Sequence, residues 1–361
     1  MKILDWYIVK KYISTFFFTM MLITMIAVSI NYFEMVDKFI NSGLSLWQIF
    51  MQYYRHFIPY INGLLWPLFA MLAVIFFTSR MAKNSEVISI LSARVSYTRF
   101  LRPYMIGAGL IAGLLWIGNN YFIPRTNVHK NDFEVKYIKP GLKSTLNYNI
   151  HFWLSPNEKV YIRTYTASDS SGRTFRLEKF NGNQLVYTLK ANRILFTGRP
   201  NKWKLEGYEI RTFNDLDETL ILKPANHLDT TFSFVPEDFN RYTNQMELMT
   251  TPELNEFLSY EQKRGLDSGK KYSIEIYRRT ADPFSIFILT LIGVAVASRK
   301  VRGGMGFHIA VGVVLGSLFV ILSKFSTTFS TNLSLPPIIG VWIPNIFFAG
   351  VAWYLYRTAQ K

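Results

Sequence analysis

Charge-free, largely apolar stretches recur along the chain at Tyr12 to Phe33, Phe57 to Ser79, Pro103 to Pro124, Pro283 to Ser298, Gly303 to Ser323 and Phe325 to Tyr356. Most reach the roughly 18 to 20 residues that a helix needs to cross the hydrocarbon of a bilayer. Residues 125 to 282 contain no such stretch. The pattern predicts a polytopic α-helical membrane protein with six transmembrane helices, split three and three by a polar insert.

Within the insert the apolar period shortens to two. Phe175, Leu177 and Lys179 alternate with Thr174, Arg176 and Glu178, as in a strand with one buried face that ends at an Asn181-Gly182 turn. Further turn signals at Pro156-Asn157, Asp169 to Gly172, Arg199-Pro200-Asn201 and Asn214-Asp215 have the spacing of a β-sandwich or jelly roll. In Lys202 to Arg211, Trp203 and Leu205 share one face while Tyr208 and Ile210 follow the opposite parity; a bulge at Gly207 and a twisted strand end account for this equally. An amphipathic helix follows, with Thr251 as N-cap, Pro252 at its first position, Glu253 on the dipole, Leu254, Phe257 and Leu258 as its stripe, and Gly265 as its stop. The expected organisation is helices 1 to 3 over residues 1–124, an inserted β-jellyroll domain over 125–250, a connecting helix and re-entry segment over 251–282, and helices 4 to 6 over 283–361.

Prolines and glycines mark the spans. Pro59, Pro67 and Pro344 predict kinks or helix ends, and Gly109 to Gly113 and Gly312 to Gly316 have the small-xxx-small spacing of close helix packing. The first run is too long for the h-region of a signal peptide and ends in Ile30-Asn31-Tyr32-Phe33, without a small-x-small site, so it reads as a retained helix.

Charge gives the orientation. With the amino terminus inside, the inner segments 1–11, 80–102, 299–302 and 357–361 hold 13 basic residues, against 3 in the short outer loops, Lys38, Arg55 and Lys324. This is a strong positive-inside bias. The net charge of +16 is therefore mostly topogenic, which removes the main support for a nucleic-acid partner. A hydrophobic fraction of 50% in 361 residues agrees with a membrane protein, and the absence of cysteine excludes disulfides and thiol chemistry.

Catalytic constellations are scarce. Gly265-Leu-Asp-Ser-Gly269-Lys270-Lys271 lacks the spacing and the Ser/Thr of a P-loop. His56, His129, His151, His227 and His308 are scattered without metal-ligand spacing, so no metal is expected, and His308 reads as structural or interfacial. No carboxylate falls in the centre of a span, where ion-coupled transporters place one, so energy must come from elsewhere, and a partner subunit is the simplest source. The best docking surface is the loop 80–102. There Ser85 would cap a short helix whose Glu86 and Ser89 face water and whose Val87, Ile88, Ile90 and Leu91 supply apolar contacts. A basic helix lying on lipid is the alternative.

Four segments in order carry a resemblance: Leu4-Asp5-x-Tyr7-Ile8, Ser85-Glu86-Val87-Ile88-Ser89-Ile90-Leu91-Ser92-Ala93, Glu275-Ile-Tyr-Arg278-Arg279 with Pro283, and Leu335-Pro336-Pro337-Ile-Ile-Gly340-Val-Trp342-Ile-Pro344-Asn345. Together with the three-domain-three layout they resemble the LptF/LptG lipopolysaccharide export permease family, and the opening and Pro-Pro-x-x-Gly segments lean toward its LptG side. The resemblance implies an inner-membrane ABC transporter permease with both termini cytoplasmic and a periplasmic jelly roll. Its implied partners are an LptB-type ATPase dimer that binds the ATP, a second LptF/LptG-type permease subunit, an LptC/LptA-like periplasmic bridge and lipopolysaccharide itself. This chain would then be no enzyme and hold no cofactor. Residues 84–92 would be the coupling helix, with Glu86 at the acidic position that meets the ATPase, and Lys38 and Lys324 at outer helix ends would contact substrate phosphates. The family pattern favours glycine where this chain has Arg94. Two other classes stand beside this reading: a membrane-anchored envelope assembly or sensor protein whose β domain binds a periplasmic partner without transport, and a lipid-headgroup enzyme using Glu34, Asp37 and His56.

Overall fold

The computed structural model describes residues 3–138, 143–145, 148–198, 201–214, 217–242, 244–263, 269–299, 304–332 and 335–359. The predicted turns at Arg199-Pro200 and Asp215, the Gly265 stop, the glycine-lysine segment from Gly265 to Ser268 and the basic residues Lys2, Lys300, Arg302 and Lys361 lie outside the described residues. The chain divides into two compact units, one formed by residues up to Phe133 with Met246–Leu254 and the chain from Lys270 onward, the other by Glu134–Gln245 with Asn255–Gly269.

Six helical segments among the described residues are long and apolar enough to cross a membrane. They are α1 (Ile3–Asn41); α2 (Leu46–Ile49) running through a π turn into α3 (Arg55–Lys83); α5 (Tyr97–Ile117) running through a π turn into α6 (Ile123–Phe133); α8 (Gly269–Ala297); α9 (Gly304–Asn332); and α10 (Pro337–Ala359). A short α4 (Glu86–Ser92) lies between α3 and α5. Helix α1 has 39 residues and, at about 1.5 Å per residue, exceeds the roughly 30 Å of hydrocarbon. Lys38 accordingly sits in its last turn, not in a loop. The third span also outruns its apolar stretch: helix continues past Pro124 to Ile138, so residues 125–138 are helical and not β. The π turn over Gly118–Phe122 comes just before Pro124, whose ring cannot donate to the carbonyl one turn back. Pro59, Pro67 and Pro344 lie inside helices that continue past them.

Apolar packing holds the membrane unit together around Tyr12, Phe16, Phe69, Val74, Tyr104 and Ile111. Three polar pairs inside it meet the demand that hydrocarbon places on lone polar groups, while Trp66 Nε1 and Ser79 Oγ are buried without a protein partner. Tyr12 and Thr290 share a hydrogen bond of 2.8 Å, Thr78 donates to the Tyr104 hydroxyl at 3.1 Å, and Thr24 donates to Asn62 Oδ1 at 2.6 Å. Only one of the two glycine pairs packs closely. A Cβ on Gly312 or Gly316 would come within 2.3 Å of Ile75 or 2.2 Å of Leu68, both on α3, whereas a Cβ on Gly113 would meet nothing within 4 Å. Gly340 of α10 is another close approach, with a virtual Cβ 2.4 Å from Ser330 of α9.

The second unit contains a six-stranded antiparallel sheet in which every strand pairs with its sequence neighbour: β2 (Tyr148–Ser155), β3 (Glu158–Thr166), β4 (Ser171–Asn181), β5 (Gln184–Gly198), β6 (Lys202–Asn214) and β7 (Asp217–Thr231). A two-stranded ladder joins β1 (Lys143–Thr145) to β8 (Asn240–Tyr242). Trp203, Leu205, Phe175, Leu177, Phe234 and Phe239 fill the core, and the Trp203 indole donates to the Phe234 carbonyl at 3.0 Å. The turn after β4 is Gly182-Asn183, with Asn181 still paired to Gln184, and Gly182 takes φ +61°. Gly207 has φ +62° and the β6–β7 register shifts between Glu206 and Tyr208, but the extra residues of this bulge lie on β7, between Lys223 and His227 opposite Gly207, while the β5–β6 register runs through Gly207 unshifted; Tyr208 and Ile210 pack on the core side.

A Cβ at Gly207 would lie 2.5 Å from Asn192 Nδ2 and 3.2 Å from the Pro224 carbonyl oxygen. Positive φ and this crowding together put the expected cost of Gly207→Ala at about 1–3 kcal/mol, seen as a lower unfolding temperature of the purified protein. Adding Asn192→Ala should recover part of that loss. An unshifted transition in the single variant would show that the bulge relaxes freely.

Candidate functional site

Helix α4 begins differently from expectation. Ser85 lies in the left-handed region at φ +62° and makes no side-chain cap, because a capping serine needs an extended backbone to aim its hydroxyl at the first turn. Its carbonyl instead accepts from the Ser89 hydroxyl at 3.0 Å, and Asn84 Nδ2 donates to Glu86 at 3.2 Å. Val87 is fully buried in the membrane unit's core, and Ile90 and Leu91 pack partly against the same core. Of the four apolar residues of the expected knob, only Ile88 is exposed, at 49%. The presented face is therefore Ile88, Ser89 and Ser92, with Glu86 half-buried beside them.

The helix ends through Ala93 into Arg94, which has φ +58° and donates its N–H to the Leu91 carbonyl at 3.1 Å. This is the left-handed residue just past a helix end that glycine usually fills. Arg94→Gly should raise stability by about 0.5–1 kcal/mol, less what glycine costs in unfolded-chain entropy, and is read as a higher unfolding temperature. A fall would show that the arginine side chain contributes more than its backbone costs. Nearby, Asp5 at the start of α1 is buried and accepts from Arg99 at the start of α5 at 2.7 Å.

A second constellation was not foreseen from the sequence. Helix α8 starts at Gly269, well before Pro283, and carries Glu275, Arg278, Arg279 and Asp282 on one side at i, i+3, i+4 and i+7. Arg279 is buried and spends its guanidinium on Glu275 (3.1 Å), the Thr251 hydroxyl (2.9 Å), and the carbonyls of Met246 (3.1 Å) and Met249 (2.8 Å). The other Glu275 oxygen takes Arg278 at 2.9 Å. Thr251 in turn donates to Asn120 of the π turn at 2.5 Å. Because its hydroxyl is used here, Thr251 does not cap α7 (Thr251–Lys263). The cap lies one residue earlier: the Thr250 carbonyl accepts from Leu254, and Glu253 accepts from the Thr250 N–H at 2.8 Å.

Beside this hub lies a cavity of about 50 Å³, room for a water or two, lined by Tyr60, Asn127, Glu247, Asp282 and Lys324 as well as the α8 pairs. Three acids face three bases, so the cavity is electrically balanced. Burial pushes the Glu247 carboxyl above its ordinary range, against the pull of Arg278. Asn127 donates to the Glu247 carbonyl at 3.2 Å while its own Oδ1 is buried without a protein partner. A second cavity of about 70 Å³ shares Leu64, Arg278, Asp282 and Lys324 and has otherwise mostly apolar walls.

The structure thus brings Lys324 among acids and does not bring Lys38 into these cavities. Glu34, Asp37 and His56 form no site: the His56 ring lies 4.9 Å from that of His129, and no group of three metal-ligating side chains occurs among the described residues. His308 is buried near the start of α9 with Nδ1 unpartnered. The Glu-x-x-Arg-Arg spacing was the one signal in the sequence for the hub, but its partners at 246–251 carry none.

Comparison with known proteins gives one consistent result. A family model described as lipopolysaccharide export system permease LptF/LptG matches residues 6–358. The lipopolysaccharide export system permease protein LptG of Haemophilus influenzae is 22% identical over 98% of this chain and 97% of its own length. The protein of the same description from Escherichia coli K12 is 19% identical over 99% of both.

Proposed function

Since this chain belongs to the LptF/LptG family of lipopolysaccharide export permeases, we propose that it is the membrane half of an ATP-driven extractor that lifts lipopolysaccharide out of the inner membrane. The family match across nearly the whole chain is the observation that carries this reading, and six apolar helices with a separate sheet unit agree with it. The chain is a permease subunit and not the catalytic one. The anchored assembly or sensor reading is not favoured.

The finer assignments follow from charge and exposure. Both termini and α4 face the cytoplasm and the sheet unit faces the periplasm, as the basic residues of segments 1–11 and 80–102 favour. Glu86 and Ile88 meet an LptB-type ATPase, while Val87, Ile90 and Leu91 hold α4 on the bundle so that a push on it is felt there. A second LptF/LptG-type subunit completes the cavity. An LptC/LptA-like bridge adds a strand to the sheet at β7, a 15-residue outer strand that among the described residues pairs on one side only and exposes Leu220, Ile221 and Leu222. Lys38 contributes positive charge in the last turn of α1, and Lys324, which lies inside α9 eight residues before its end and not at the helix end expected of it, does so by leaving its acidic neighbours for a substrate phosphate.

Affinity purification of the tagged chain in mild detergent tests the core of this. A stoichiometric ATP-hydrolysing protein and a second permease should accompany it, and isolation of the chain without either would overturn the reading. Sidedness has a clean probe because the chain has no cysteine. Ile88→Cys should be shielded from a membrane-impermeant maleimide added outside the inner membrane, and Arg173→Cys should be labelled by it; the reverse pattern would invert the topology.

A further inference from the structure

Away from the charged cavities, α5, α8 and α10 enclose an open groove of about 540 Å³. On α5 it is lined by Thr98, Arg102, Met105 and Ile106, whose spacing of i, i+4, i+7 and i+8 puts them on one face of the helix. Trp353 and Tyr356 of α10 stand opposite, and Leu291 of α8 lines the apolar part. The Tyr356 hydroxyl and Thr98 Oγ1 are hydrogen-bonded at 3.0 Å, which closes one end of the groove with polar atoms.

Its charges are one-sided. Arg102 lies about a turn and a half into α5, is exposed, and has no hydrogen bond or ion pair among the described residues. Arg357, in the last turn of α10, stacks on Trp353 with 4.7 Å between guanidinium and ring centroid. Arg99, three residues before Arg102 on α5, is paired to the Asp5 carboxylate at 2.7 Å. Since α5 begins and α10 ends on the same side, both guanidinium groups sit at one membrane level, with apolar walls running from them toward the bilayer interior.

An unpaired arginine at the edge of hydrocarbon is costly unless an anion joins it, and a phosphodiester accepts a guanidinium bidentately. A tryptophan at the same level is the usual interfacial anchor. We propose that this groove is a binding site for one anionic phospholipid of the cytoplasmic leaflet. Its phosphate lies between Arg102 and Arg357 near the Thr98–Tyr356 hydroxyls, and one acyl chain lies along Met105, Ile106 and Leu291. The leaflet assignment rests on the proposed topology; the site itself does not.

Native mass spectrometry of the intact permease complex, released from nanodiscs of phosphatidylethanolamine and phosphatidylglycerol, tests this. Wild-type complex should retain phosphatidylglycerol in preference to phosphatidylethanolamine, and Arg102→Gln with Arg357→Gln should lower that retention about tenfold while the complex stays assembled. Arg102→Lys should keep most of it, and Arg163→Gln, an exposed change in the sheet unit, all of it. Ile106→Trp, which fills the apolar part and leaves both cations, should also lower retention. Equal retention of the two lipids, undiminished retention in the double variant, or capture of a polypeptide instead of lipid by a photo-crosslinker at position 106 would each overturn the proposal.

Discussion

Arg279→Leu is expected to destabilise the protein by about 3–5 kcal/mol, the usual cost of removing one partner from a buried ion pair. The side chain is 3% exposed and that of Glu275 9%, so neither water nor headgroups can replace the lost charge. Two backbone carbonyls, of Met246 and Met249, lose their guanidinium donor at the same time, and Thr251 loses one of its two partners. Arg278 still holds the second Glu275 oxygen, which limits the loss and keeps the helix charge-paired. Arg279→Lys should fall between, since an ammonium cannot reach four acceptors with the geometry of a planar fork. Thermal unfolding of the purified complex checks this. A double-mutant cycle with Glu275→Gln should show strong coupling, the pair costing less than the sum of the single changes. A leucine variant that melts within a degree or so of the native protein would mean that the hub contributes nothing.

Glu86→Arg is expected to abolish ATPase co-purification and lipopolysaccharide export while the protein remains membrane-inserted. Among the described residues the Glu86 side chain has one hydrogen bond, accepted from the Asn84 side chain, so little of the fold depends on it. Placing a cation in the first turn of α4 costs a few tenths to about 1 kcal/mol through the helix dipole. For the partner the change is much larger. The surface around α4 already holds Arg80, Lys83 and Arg94, so the reversal removes its acid and sets like charge against whatever basic group met it. Such juxtapositions cost several kcal/mol, or a hundredfold and more in affinity. Ile88→Asp should act in the same direction, whereas Val87→Ala should act through stability, because Val87 faces the core. Normal ATPase association in the Glu86→Arg protein would sink the coupling-helix assignment.

The contrast between Ile88 and Val87 marks where sequence reading stops. The short helix between Ser85 and Ala93 was legible, but which of its apolar residues face outward was not: α4 is only 7 residues long and packs on α3 and α5, whose orientation around it is set elsewhere. The glycine pairs behave alike. Gly109-x-x-x-Gly113 and Gly312-x-x-x-Gly316 are equivalent as strings, yet only the second meets a neighbouring helix closely. The Arg94 departure, by contrast, was visible in the sequence, and the structure gives its backbone reason in a φ of +58°.

The sequence by itself determined the solvent of each segment. Entry into a bilayer depends on the length of an apolar run and the charges at its ends, which are local sums that need no knowledge of neighbours. The period-two alternation around Phe175 and the odd parity at Gly207 likewise act through adjacent residues, so the strand and the place of the bulge were within reach. Only the tertiary structure decided which polar groups are paired. Arg279 meets residues 246–251 and Lys324 shares a cavity with Asp282 and Glu247, across separations that no local pattern encodes. A buried charge is stable only where distant parts of the chain converge on it, and that convergence is a property of the packed fold alone.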